Sequence, residues 1–163
     1  MTFQRTQNID ILKLENQLCF PLYAASREVV KKYGPYLRDL DLTYTQYISM
    51  MVLWDAGEIS AKSLGERLFL DSGTMTPVLK ALEKKGYIKR TRCPEDERLL
   101  IVAVTPEGMA LRGKAQGIPE KVGACIDLDP AEARSLYRLL YKLLGRSKPA
   151  APGSARAQAE GRL

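Results

Sequence analysis

The 163-residue chain contains no histidine, which removes Ser/His/Asp triads, Cys/His dyads and HExxH zinc sites at once. Its three cysteines, Cys19, Cys93 and Cys125, are an odd number at wide spacing. They offer neither a secreted disulfide framework nor a CxxC metal or redox pair. No metal or cofactor is therefore expected, and most familiar enzyme chemistry is disfavoured. No apolar run approaches the ~18 residues of a membrane span. The amino terminus, MTFQRTQNIDILKLENQL, lacks the basic-then-apolar layout of a signal peptide, so a cytoplasmic protein with no membrane partner is expected.

What is present suits one folded domain. Hydrophobic residues make up 45% of the chain, enough to bury a core. Twenty-five Lys and Arg against 19 Asp and Glu leave a net charge of +6, which favours an anionic partner such as nucleic acid.

Between Ile9 and Lys32 the apolar residues Ile11, Leu14, Leu18, Leu22 and Val29 recur at mostly helical steps. Pro21 interrupts this run and predicts either a kink near Cys19 or a fresh helix start near Pro21, while Gly34-Pro35 predicts the helix end. Thr43 with Gln46 three residues on is a capping box opening YTQYISMMVLW. Ser60 caps a second helix, AKSLGERLF, and the turn LDSG leads to a third from Thr74 to Lys85, with Val78, Leu79 and Leu82 inward. YIKRTR and RLLIVAV then read as two strands joined by the polar turn PEDE, a β-hairpin. Thr105-Pro106 and Asp129-Pro130 start two further helices, and the second carries the apolar stripe Ala133, Leu136, Leu140, Leu143 and Leu144. The segment SKPAAPGSARAQAEGRL has the composition of a disordered tail.

This order predicts a mainly α fold with a small β-hairpin wing, a winged helix-turn-helix. Its expected divisions are an N-terminal helix (1–42), a DNA-reading centre (43–104), C-terminal helices (105–146) and the tail (147–163). The terminal helices have few partners in the centre; they pack either on each other or against a second subunit, as in a homodimer. In a winged helix-turn-helix the second helix enters the major groove of double-stranded DNA. Its polar face carries Ser72, Thr74, Thr76, Lys80 and Lys84, and a basic run including Lys89, Arg90 and Arg92 follows, opposed locally by Glu83; its place after the recognition helix favours phosphate contacts, Arg90 among them, over a merely solvated face. At the hairpin tip Arg98 suits a narrow minor groove, with Asp96 placed to orient its guanidinium. Taken alone, Asp96 and Arg98 would read as a surface ion pair worth little.

The residues DSGTMTPVLKALEKKGYIKRTR and PEDERLLIVAVTPEG resemble the MarR family of winged-helix repressors. LENQLCFPLY, LTYTQY and LGERLFLDSGTMTP resemble more narrowly its OhrR branch, which senses organic hydroperoxides. The resemblance spans Leu12 to Leu144. It implies that Cys19 is the peroxide-reactive cysteine, that the Tyr33 and Tyr44 hydroxyls hydrogen-bond its thiolate across a dimer interface, and that Cys125 is the resolving cysteine of a two-cysteine member. It likewise implies a DNA-binding role for Ser72, Thr74, Thr76, Asp96 and Arg98, an operator as partner and an organic hydroperoxide as inducer. Cys93 matches no sensing position and reads as a strand-end residue.

A cysteine thiol at its reference pKa of ~8.5 is only a few per cent ionised at neutral pH, and hydrogen bonds donated to the thiolate, such as the resemblance implies for Tyr33 and Tyr44, favour the charged form. On one continuous helix Tyr33 would stand about 20 Å from Cys19, so any contact between the two must come from a partner chain. Leu18, Phe20, Leu22 and Trp54 are candidates for an apolar lining, although Trp54 also reads as ordinary core. Two other readings compete. One is a repressor released by a small aromatic ligand; the other is a thiol peroxidase, disfavoured because its DNA-reading elements would be idle.

Overall fold

A computed structural model describes residues 10–145 apart from positions 95 and 97. The tail expected at 147–163 lies outside the described residues. A single 3-10 turn, Leu14–Asn16, precedes helix α1, Cys19–Arg38. The apolar residues Ile11, Leu14 and Leu18 therefore lie before the helix rather than along its face, and of the two outcomes expected from Pro21 the fresh start is realised. Pro21 is the third helical residue, where an N–H would have no intrahelical acceptor.

Gly34-Pro35 does not end α1, contrary to the sequence expectation, because the helix runs through Pro35 to Arg38. A proline crowds the N–H and Cβ of the residue before it, and Gly34 has no Cβ to be crowded. The helix ends instead at a corner where Leu42 N–H bonds to the Leu37 carbonyl at 2.9 Å and Asp41 takes a left-handed φ of 50°. Buried Leu37, Leu40 and Leu42 hold that corner.

Helix α2, Tyr44–Ala56, opens on the expected capping box of Thr43 and Gln46. The short strand β1, Glu58–Ser60, follows, then α3, Ala61–Leu68, capped by Ser60. Between α3 and α4, Ser72–Lys84, the chain turns on Phe69 in the left-handed region, with Leu70 N–H on the Gly65 carbonyl at 2.9 Å. A Cβ at Gly65 would stand 2.8 Å from the Leu70 carbonyl oxygen, so this tight turn needs the glycine.

Strands β2, Ile88–Arg92, and β3, Leu100–Val104, form the wing, and β1 adds to the far edge of β3 to give an antiparallel sheet of order β1-β3-β2. Val102 stands opposite both Ile59 and Arg90. Helices α5, Pro106–Ala115, α6, Ile118–Gly123, and α7, Pro130–Leu143, complete the described residues, with Thr105 and Asp129 capping α5 and α7 as expected. Strand β1 and helix α6 were not expected.

Met50, Leu53, Leu64, Leu79, Leu82 and Val102 form the fully buried centre of the core. Truncating any of the leucines to alanine should cost about 2–5 kcal/mol. Trp54 belongs to this core, its indole Nε1–H donating to the Gly108 carbonyl at 2.8 Å. By contrast α7 has no buried residue, and Leu136, Tyr137, Leu139, Leu143 and Leu144 are exposed, as are Ile11, Leu12, Leu14 and Leu18 at the other end of the chain.

Candidate functional site

Helix α4 is positioned by its buried side, Met75, Leu79 and Leu82, which leaves Ser72, Thr74, Thr76, Lys80 and Lys84 exposed. It starts at Ser72, two residues earlier than expected, because Asp71 is its cap. The Asp71 carboxylate accepts the Thr74 N–H at 2.9 Å and the Thr74 hydroxyl at 3.1 Å, and these bonds hold its pKa below the usual carboxylate value. The Thr76 hydroxyl donates to the Ser72 carbonyl at 2.7 Å. Both threonine oxygens keep acceptor capacity on the outer face.

The basic run after α4 is divided. Lys84 and Lys89 are exposed, whereas Arg90 is directed back at Glu83. Its Nε donates to Glu83 Oε2 at 2.9 Å, its Nη2 donates to the same oxygen, and its backbone N–H meets Oε1 at 3.1 Å. These bonds pull the Glu83 pKa down, the guanidinium hydrogen bond being the largest cause. Arg90 thus ties β2 to the end of α4 rather than standing free toward a ligand. In the wing, Asp96 Oδ1 accepts the backbone N–H of Arg98 at 3.0 Å, a turn contact in place of the expected guanidinium clamp.

Cys19 is the first residue of α1 and is exposed, at the end where unpaired N–H groups carry partial positive charge. Phe20 and Leu22 beside it are partly exposed and Leu18 largely so. Tyr33 lies fourteen residues further along the same helix, hence about 20 Å away. There it packs on Tyr44 with ring centroids 5.1 Å apart and on Tyr47 at 5.8 Å, and Tyr47 reaches Trp54 at 6.2 Å. Burial, reinforced by Tyr33, raises the pKa of both Tyr44 and Tyr47. Tyr47 was missed in the sequence, although its three-residue spacing from Tyr44 puts both on one helix face.

Cys125 is exposed just after α6, its thiol donating to the Lys121 carbonyl at 3.4 Å. Lys121 in turn sets its ammonium 5.7 Å from the Tyr36 ring centroid on α1. Cys125 is thereby tied to the tyrosine end of α1, and Cys19 is at the other end. Cys93 is half-buried at the base of the wing, and none of the three cysteines forms a disulfide within the subunit. An open cleft of about 610 Å³ lies between α2 and α5, lined among others by Tyr47, Met51, Trp54, Met109 and Arg112.

Residues 31–114 match the family described as transcriptional regulator SarA/Rot. An organic hydroperoxide resistance transcriptional regulator of Bacillus subtilis (strain 168) is 44% identical over 135 residues, covering 83% of this chain and 92% of that protein. The chain belongs to the MarR- and SarA/Rot-type winged-helix transcriptional regulators. Among solved structures, reduced AbfR bound to DNA is 34% identical with a TM-score of 0.67, covering 81% of this chain and 91% of that one. AbfR with its disulfide formed is 33% identical with a TM-score of 0.55, covering 81% and 88%. The chain is accordingly a regulator of transcription and not an enzyme. Among the described residues of this regulator no helix is long and apolar enough to cross a membrane.

Proposed function

We propose that this regulator is a homodimeric repressor of peroxide-resistance genes, acting in the cytoplasm, that leaves its operator when Cys19 is oxidised by an organic hydroperoxide. The observation that carries the reading is the placement of Cys19 at one end of α1, with Tyr33, Tyr44 and Cys125 gathered toward the other. Within one subunit these groups cannot meet. Two antiparallel copies of α1 would bring each Cys19 to the partner's tyrosines and to the neighbourhood of the partner's Cys125. The exposed apolar residues at both chain ends supply a surface for such a dimer.

In this reading the tyrosine hydroxyls donate to the Cys19 thiolate, and Leu18, Phe20 and Leu22 provide apolar surroundings for an alkyl peroxide. The thiolate attacks the terminal peroxide oxygen, the O–O bond breaks, and the products are a cysteine sulfenic acid and, after protonation, an alcohol. The thiol of Cys125 then displaces the sulfenic oxygen as water, forming an S–S bond between subunits. The two sulfurs are oxidised and the peroxide is reduced. Because a disulfide needs Cα atoms within about 7 Å, closure moves the terminal helices and changes the separation of the two α4 helices. Operator half-sites about 34–36 Å apart would then no longer both be engaged.

DNA is read in this proposal by Ser72, Thr74 and Thr76 on α4, by Lys80 and Lys84 on phosphates, and by Arg98 of the wing in the minor groove, with Asp96 shaping the turn that presents it. The DNA-bound AbfR structure supports this use of the fold. Residues 1–42 and 105–146 serve dimerisation and sensing, and 43–104 serve recognition.

The test is an operator titration of reduced and cumene hydroperoxide-treated protein, with intact mass measured in parallel. Cys19→Ser should bind the operator and ignore the peroxide; an inducible Cys19→Ser protein would overturn the assignment. Cys125→Ser should oxidise at Cys19 yet show no intersubunit disulfide on a non-reducing gel, and persistence of that band would implicate Cys93. The cleft between α2 and α5 favours a second reading, release by a small aromatic ligand, which predicts release under fully reducing conditions.

A further inference from the structure

Lys85 is the residue that ends the recognition helix and, at the same time, touches the corner between α1 and α2. Its backbone N–H closes α4 on the Ala81 carbonyl at 3.1 Å, and the chain then turns away through Gly86 at a φ of 76°. Its side chain crosses to the corner, where the ammonium lies 3.1 Å from Asp41 Oδ2, donates to the Asp41 carbonyl, and stands 3.4 Å from Gln46 Oε1. Three acceptors from two short stretches of the corner thus converge on one cation.

Each acceptor is tied to a feature that the redox chemistry would disturb. Asp41 is held in the left-handed region, where a residue with a Cβ is strained, and the Lys85 ammonium is bound to both its carbonyl and its carboxylate. Gln46 is buried and is half of the capping box that starts α2, its Oε1 also accepting the Thr43 N–H at 3.1 Å. Tyr44, two residues before Gln46, is the first residue of that helix and packs on Tyr33 of α1.

We infer that Lys85 is a positioning residue of the redox switch, a strut that passes displacement of the Tyr33–Tyr44 corner to the carboxyl-terminal end of α4. This rests on the redox reading above. When Cys19 is oxidised and the tyrosines shift, Asp41 and the first turn of α2 move relative to α4. The Lys85 contacts then draw the end of α4 away from its reduced, operator-binding position. Met50 and Leu53 of α2 share one buried apolar core with Met75, Leu79 and Leu82 of α4, and that core remains in a Lys85 variant.

The experiment compares operator Kd before and after cumene hydroperoxide for wild type, Lys85→Met, Asp41→Asn and Lys85→Arg, at matched Cys19 oxidation by intact mass and with unfolding midpoints recorded. Lys85→Met keeps the stem and removes the charge; asparagine tolerates the left-handed backbone at 41. Couplings between sites are typically about 5–150-fold, so Lys85→Met should shrink the oxidised-to-reduced Kd ratio by about tenfold and Asp41→Asn by less, with Lys85→Arg restoring it. A Lys85→Met ratio within about twofold of wild type, in a folded and fully oxidised protein, overturns the strut alone. A weaker reduced complex whose salt slope has fallen by about 0.9 would instead put Lys85 on a DNA phosphate and also overturns it. Wild-type protein that oxidises at Cys19 and stays on its operator overturns the redox reading and the strut with it.

Discussion

The ring of Tyr33, late in α1, meets the ring of Tyr44, the first residue of α2, edge to face with centroids 5.1 Å apart. One subunit therefore presents the two hydroxyl-bearing rings as a pair, fixed by the corner around Asp41. Burial raises the Tyr44 pKa, so its hydroxyl stays protonated and able to donate at any pH where a thiolate exists at neutrality or moderately above it. Hydrogen bonds to a charged partner are worth about 1.5–3 kcal/mol. Tyr33→Phe and Tyr44→Phe, which keep the rings, should each slow peroxide oxidation of Cys19 by about tenfold or more while leaving the reduced operator complex unchanged. Time-resolved intact mass after a peroxide pulse would show this, and unaltered rates would remove both hydroxyls from the thiolate site.

The same burial predicts a pH dependence. Tyr44 and Tyr47 both have pKa values raised above the ordinary 10.0, first by burial and then by neighbouring tyrosines. A raised folded-state pKa means that the native protein holds the proton more tightly than the unfolded chain. The corresponding stability is present below about pH 10 and is lost as pH rises through the folded-state values. Urea midpoints should accordingly fall as pH rises above about 10, and the Tyr44→Phe, Tyr47→Phe double variant should flatten that fall.

Gly108 in α5 lies against the end of the wing. A Cβ there would stand 2.0 Å from the Tyr87 carbonyl oxygen and 3.0 Å from Val104 Cγ2, and the Gly108 carbonyl also receives the Trp54 indole. The first neighbour is backbone, which cannot swing aside. Gly108→Ala should therefore destabilise the fold by about 3 kcal/mol, the upper end of ordinary overpacking, and should lower the thermal midpoint by several degrees. Thr43→Ala, which removes one half of a capping box, should cost less, about 1 kcal/mol. Parallel thermal melts would order the two.

Where a signal was local, the sequence was sufficient. The caps Thr43, Ser60, Thr105 and Asp129 all sit where a short polar side chain precedes a helical run, because a cap bonds within three residues of itself. The separation of Cys19 from Tyr33 likewise followed from counting along one helix. Strand β1 is three residues long and is a strand only through its pairing with β3, some forty positions later, so no local pattern marks it. Gly34-Pro35 carried the ordinary stop signal, and the missing Cβ that neutralises it is visible only as a detail of that pair. In the candidate site the tertiary contacts were the illegible part. Nothing in the run of basic residues says that Arg90 folds back on Glu83 or that Lys85 crosses to Asp41.

That division among the basic residues gives the last prediction. Lys80 and Lys84 are exposed on the outer face of α4, whereas the Arg90 guanidinium is held by Glu83, on a side chain only one-fifth exposed. A phosphate contact contributes to the salt dependence of binding, about −0.9 in the log–log slope per phosphate neutralised, whereas a contact within the protein does not. Lys80→Ala and Lys84→Ala should therefore weaken operator binding of the reduced protein and each make the slope shallower by about 0.9. Arg90→Met should loosen the junction of α4 and β2, seen as a lower unfolding midpoint, and leave the slope close to that of wild type. Affinities measured from about 50 to 200 mM salt distinguish the two behaviours. A slope change in Arg90→Met as large as in Lys84→Ala would mean that Arg90 leaves Glu83 for the DNA backbone when the complex forms.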